Sequence, residues 1–155
     1  MKAEIRHAQP EDLGALIEMG REFFEHSGNA EFTTFDEPSL TATLIAVISG
    51  VSNGTLLVAE TSGQVVGMAA CVVFPFYANM DTLIGQEIFF WVNPEHRGAV
   101  GDALLDELEA CALRKGAKVF INANLAGPRD KAFARYYRRR GYRPAENTHI
   151  RVLSS

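Results

Sequence analysis

The run Trp91-Val92-Asn93-Pro94-Glu95-His96-Arg97-Gly98-Ala99-Val100-Gly101-Asp102-Ala103-Leu104-Leu105 brings together the residue types that bind an anion. Residues up to Val92 read as a strand, Asn93-Pro94 ends it because proline cannot donate to a ladder, and Leu104, Leu105 and Leu108 open a helix. The first turn of a helix carries N–H groups without partners, and its dipole is positive at that end. Gly98 and Gly101 let the backbone approach a ligand closely, and Arg97 adds a planar fork suited to phosphate oxygens. A pyrophosphate would fit such a turn. Taken alone, the same residues also describe an ordinary strand-to-helix connection with Arg97 in solvent.

Other chemistries find little support. His7, His26, His96 and His149 are scattered, and none pairs with Cys or a carboxylate at ligand spacing, so no metal is expected. Cys71 and Cys111 are far apart in apolar surroundings and read as core thiols. Ser49, Ser52 and Ser62 lack the context of a nucleophile elbow. With 155 residues, 47% hydrophobic content and a net charge of −4, the chain is expected to be one domain, residues 1–155, with no global attraction to nucleic acid. The start, Met1-Lys2-Ala3-Glu4-Ile5-Arg6, shows no signal peptide, and the apolar runs fall short of a membrane span. A cytoplasmic location is expected.

Two amphipathic helices are expected first, one on Leu13, Leu16, Ile17, Phe23 and Phe24 and one on Leu40, Leu44, Val47 and Ile48. Thr55 to Phe74 reads as a hairpin around Ser62-Gly63, followed by an aromatic loop from Phe74 to Asp81 and a strand from Gln86 to Val92. The helix carrying Val100, Leu104, Leu108, Cys111 and Ala112 ends at Lys115-Gly116, with Asp106, Glu107 and Glu109 on its solvated side. A strand over 118–124, a helix over 130–140 and short strands over 142–144 and 149–153 complete the chain. The order β-α-α-β-β-β-α-β-α-β-β implies a mixed α/β sheet with helices on both faces.

The segment Val92-x-Pro94-Glu95-x-Arg97-Gly98 with Gly101 and its Ala-Leu-Leu helix resembles the coenzyme-A-binding segment of the GNAT acetyltransferases. Tyr137-Arg138-Arg139-Arg140-Gly141-Tyr142 resembles that family's Tyr-x-x-x-Gly-aromatic motif, and Asp130 stands where the family often has Asn. The loop is one residue shorter than the usual Arg/Gln-x-x-Gly-x-Gly/Ala, with the gap placed before Val100. Asp102 at the helix start opposes an anion. The resemblance implies a mostly antiparallel sheet of six to seven strands and acetyl-CoA as cosubstrate. It implies contacts with that cosubstrate from Trp91, Val92, Arg97, Gly98, Ala99, Val100, Gly101, Asp102, Ala103, Asp130 and Tyr136. By the same resemblance Glu87 is the general base and Tyr137 the acid that meets the departing thiolate; Ile88, Phe89 and Phe90 around Glu87 would raise its pKa towards neutrality.

The family's acceptor site implies a substrate lining that includes Phe24, Phe76 and Tyr77, suited to an amine on an apolar or aromatic body. The expected reaction is acetyl transfer to a primary amine of a small molecule or peptide by direct attack. The alternative is a GNAT-like module that binds acyl-CoA without turnover. No nucleic-acid or membrane partner is expected, and homodimerisation follows from family habit.

Overall fold

The computed structural model describes residues 2–154. Its elements are β1 (Glu4–His7), α1 (Leu13–Ser27), α2 (Glu37–Ile48), β2 (Thr55–Thr61), β3 (Gln64–Phe76), β4 (Asn79–Val92), α3 (Ala99–Arg114), β5 (Ala117–Ile121) and α4 (Asp130–Arg139). The strands form one sheet in the order β1-β2-β3-β4-β5, antiparallel except for the β4–β5 pair, which α3 joins as a crossover.

Strand alternation divides the core in two. Leu57, Ala59, Ala69, Cys71 and Val92 face α3, which contributes Leu104, Leu108, Cys111 and Ala112 at helical spacing. Leu56, Val58, Met68, Ala70 and Trp91 face the opposite way, onto Leu16 and Met19 of α1 and Leu44 and Val47 of α2. Leu16, Leu44, Leu104 and Leu108 are fully buried, so truncating any of them to alanine would cost about 2–5 kcal/mol. Both cysteines lie in the α3-side core, where burial pushes the Cys71 thiol up to about 11.

Three departures from the sequence reading affect the site. The aromatic stretch from Phe74 is no loop: β3 runs to Phe76, β4 starts at Asn79, and Tyr77-Ala78 form the turn of a long hairpin. Pro75 is accommodated where the register slips between Pro75 and Phe76. The strand expected over 118–124 ends at Ile121. The two terminal strands do not form among the described residues, so the sheet has five strands rather than six to seven. After α4, Gly141 turns with φ +87°, and the Tyr142 hydroxyl is drawn to Glu109 of α3 at 2.6 Å. The same hydroxyl accepts from Asn122, just past β5, at 3.4 Å, so Tyr142 bridges α3 and the end of β5.

Candidate active site

The site begins where β4 and β5 part. Their parallel pairing ends at Gln86 with Ile121, while β4 continues to Val92 with no strand paired on that edge among the described residues. The Asn93 N–H donates to the Val66 carbonyl at 2.9 Å, so ladder alternation bonds Phe89 and Trp91 to β3 and turns the N–H and C=O groups of Phe90 and Val92 into the gap. A free strand edge of this kind can hold an extended, amide-bearing chain. The Trp91 backbone, expected to face the cosubstrate, is spent on β3, and Phe90, identified only by the ladder register, has the unpaired groups instead.

One extra residue decides what else faces the gap. Ala70 pairs with Phe89 and Cys71 with Glu87, leaving Ile88 as a bulge. Without it Glu87 would share the face of Phe89 and Trp91. With it Glu87 lies opposite Cys71, on the side of α3 and α4. Burial pushes the Glu87 carboxyl up to about 7, against a smaller opposing effect from the nearby Ala123 N–H. The Tyr137 hydroxyl donates to the carbonyl of the same Ala123 at 3.4 Å. Burial first, and the nearby Glu87 charge second, push that phenol up to about 12. A carboxyl titrating near neutrality and a phenol that keeps its proton are therefore placed together, a base beside an acid.

At the other end of the gap, α3 starts after Gly98, whose φ +98° and ψ −115° suit glycine alone. No side chain caps this helix, so the N–H groups of Ala99, Val100 and Gly101 remain free for an anion. The Asp102 N–H instead bonds the Gly98 carbonyl at 3.1 Å, and Ala103 lies within the helix, where its N–H is spent internally. Arg97 does not stand open as a fork. Its Nε donates to the Val92 carbonyl at 3.1 Å and its guanidinium lies 5.1 Å over the Trp91 ring.

The acids of α3 are engaged as well. The Tyr136 hydroxyl donates to Asp102 at 2.8 Å, and Arg140 pairs with Asp106, with Glu109 at 3.6 Å and with Asp102 at 3.8 Å. Asp106 and Glu109, expected merely to be solvated, thus tie α4 to α3, while Glu107 pairs with Arg114 at 2.6 Å. Tyr136 is committed to this latch. Asp130 closes its own loop, accepting from the Gly127 N–H at 3.0 Å and from Asn124 at 3.3 Å.

On the far side of the bulge, a cleft of about 380 Å³ opens between α1, the α1–α2 connection and β4, with Phe24, Met68, Ile88 and Phe89 among its walls. Phe76 and Tyr77 do not line it; they pack on each other at the hairpin tip, where Tyr77 is 88% exposed. The expected grouping of Phe24 with those two residues is corrected accordingly. Among the described residues, no group of three His, Cys, Asp or Glu side chains could hold a metal, and no helix is long and apolar enough to cross a membrane.

A family model described as an acetyltransferase (GNAT) domain matches residues 52–144, more than half of the chain. The chain belongs to the GNAT acetyltransferase family. No curated protein matches it. Among solved structures it resembles a predicted acetyltransferase with acetyl-CoA from Clostridium acetobutylicum, at 18% identity and a TM-score of 0.74, covering 97% of this chain and 96% of that one. It also resembles an acetyltransferase from Trypanosoma brucei, at 22% identity and 0.71 over 97% and 99% of the two chains. A third resemblance is to an aminoglycoside acetyltransferase from an uncultured soil metagenomic sample, at 17% and 0.72 over the whole of both chains. At these identities the likeness speaks for the fold.

Proposed function

We propose that this protein transfers an acetyl group from acetyl-CoA to a primary amine of a small molecule or peptide, by direct attack in a ternary complex. The observation that carries the reading is the placement of Glu87 and Tyr137 beside Ala123, close enough for the phenol to feel the carboxylate's charge, at the point where β4 and β5 separate. The free N–H groups of Ala99, Val100 and Gly101 suit the pyrophosphate of the cosubstrate, and the open edge at Phe90 and the Val92 N–H suits its amide-bearing arm. Bound there, the thioester supplies an electrophilic carbonyl. Glu87 takes a proton from the attacking nitrogen, directly or through a water, and Tyr137 gives its phenolic proton to the departing sulfur. The gap is thereby left with an amide, a free thiol and a proton to be returned to Tyr137.

A second reading, binding of acyl-CoA without turnover, draws on one observation. Asp102 places a carboxylate in the first turn of α3, where it opposes the anion that the free N–H groups attract. Calorimetry with acetyl-CoA, followed by thiol release with a panel of amines, separates the two. One-to-one binding with release supports the enzyme, binding without release supports the module, and no binding overturns both.

A further inference from the structure

The cleft beyond the bulge has apolar walls and a single charge. Phe23, Phe24, Met68 and Phe89 line it from within, Phe35 stands at its side, and Asp36 is the one charged side chain among its lining residues. Asp36 is fixed as the N-cap of α2: its Oδ2 accepts from the Ser39 N–H at 2.9 Å and from the Ser39 hydroxyl. Those bonds hold its carboxyl below the usual range, so it stays ionised at neutral pH. Among the described residues its Oδ1 accepts no hydrogen bond.

The stretch of chain that carries Asp36 is acidic. Residues 11 to 37 carry eight carboxylates against one arginine, whereas residues 129 to 151 carry eight Lys and Arg against two carboxylates. The single arginine, Arg21, is already occupied, pairing with Glu37 at 2.8 Å and lying 4.5 Å over the Phe35 ring. That contact also shows this aromatic wall carrying a cation on one face. From the acidic stretch Asp36 lines the cleft, and the basic part carries α4, beside the slot for an anionic cosubstrate.

We propose that the cleft takes a diamine with an apolar spacer, its chain along Phe23, Phe24 and Phe89, its second, protonated nitrogen at Asp36, and its reacting nitrogen at the Ile88 bulge, from which Glu87 on the other face of β4 takes the proton through a water. The assignment rests on the acyl-transfer reading above for the role of the first nitrogen; the recognition of the second stands on the cleft itself. An amine that carries a carboxylate at the far end meets Asp36 as a like charge and is rejected.

The test uses three acceptors of one length: diaminohexane, hexylamine and aminohexanoate. Each is followed by thiol release and, without acyl donor, by calorimetry, in the wild type and in Asp36→Asn. Asparagine caps helices as well as aspartate does, so this variant keeps the start of α2. The wild type is expected to favour diaminohexane over hexylamine by about fivefold in kcat/KM, with aminohexanoate the poorest, and the preference to fall to about one in the variant. Equal use of the three by the wild type, or an unchanged preference in Asp36→Asn, overturns the proposal. If no amine releases thiol, calorimetry decides. Diaminohexane binding that Asp36→Asn weakens supports the cleft assignment and overturns acyl transfer alone, and absence of diamine binding overturns the cleft assignment.

Discussion

Glu87 and Tyr137 meet beside one residue: the Ala123 carbonyl accepts from the Tyr137 phenol at 3.4 Å, and the Ala123 N–H lies on the Glu87 side, where it partly offsets the upward push of burial on that carboxyl. Glu87 comes from β4 and Tyr137 from α4, elements joined through α3 and β5. Ala123 lies just past the end of β5, so the same divergence that opens the gap also leaves its carbonyl to the Tyr137 hydroxyl.

Glu87→Gln keeps the shape and removes the base. Thiol release is expected to fall by about a hundredfold or more, with acetyl-CoA affinity unchanged by calorimetry. The stability effect has a definite sign. Burial raises the folded carboxyl from 4.5 to about 7, so the folded state holds this proton more tightly than the unfolded chain. Between those values rising pH weakens the fold, and above them the variant should be more stable by on the order of 2 kcal/mol. Denaturant unfolding at acid and mildly alkaline pH checks this; a variant no more stable at high pH contradicts it.

Tyr137→Phe removes a proton donor that stays protonated at neutral pH, its phenol being pushed up to about 12. Turnover is expected to drop by about tenfold to a hundredfold in kcat with little change in KM. An unaltered kcat would move the acid's role elsewhere.

Gly98→Ala places a side chain where φ is +98°. The strain costs about 1–3 kcal/mol and is relieved by rotating the turn, which disperses the free N–H groups of Ala99, Val100 and Gly101. Weaker acetyl-CoA binding together with a lower unfolding midpoint is the expected pair of results, measured by calorimetry and thermal unfolding.

Asp102→Asn removes the one negative charge in the first turn of α3 while retaining an acceptor for the Tyr136 hydroxyl. Acetyl-CoA affinity should rise, and rise most at low salt, because the repulsion it removes is screened by ions. Unchanged or weaker binding would show that Asp102 plays no opposing part.

Local signals made much of this legible. The spacing of Leu104, Leu108, Cys111 and Ala112 marks α3, and Asn93-Pro94 with Gly98 marks the turn before it, because those constraints act on neighbouring residues. Pairing between distant residues was not legible. The Ile88 bulge is a single residue without a composition of its own, yet it sets the face on which Glu87 stands. Phe90 and Trp91 look equivalent in sequence, and only the register against Val66 and Met68 turns Phe90 into the gap. Pro75 and Asn79 mimic a loop in what is a hairpin end, and 149–153 carries a strand pattern with no ladder to join. Asp106 and Glu109 read as solvent-facing because Arg140 and Tyr142, which bind them, lie more than thirty residues away.

The central claim is that Glu87 is the base of an acyl transfer, and kcat/KM measured from about pH 5 to about pH 9 tests it most directly. Dividing the wild-type profile by that of Glu87→Gln cancels the ionisation of the amine. The expected ratio climbs as pH rises and levels off above about 7, where the buried carboxyl has lost its proton. A ratio that stays flat through neutrality would contradict it.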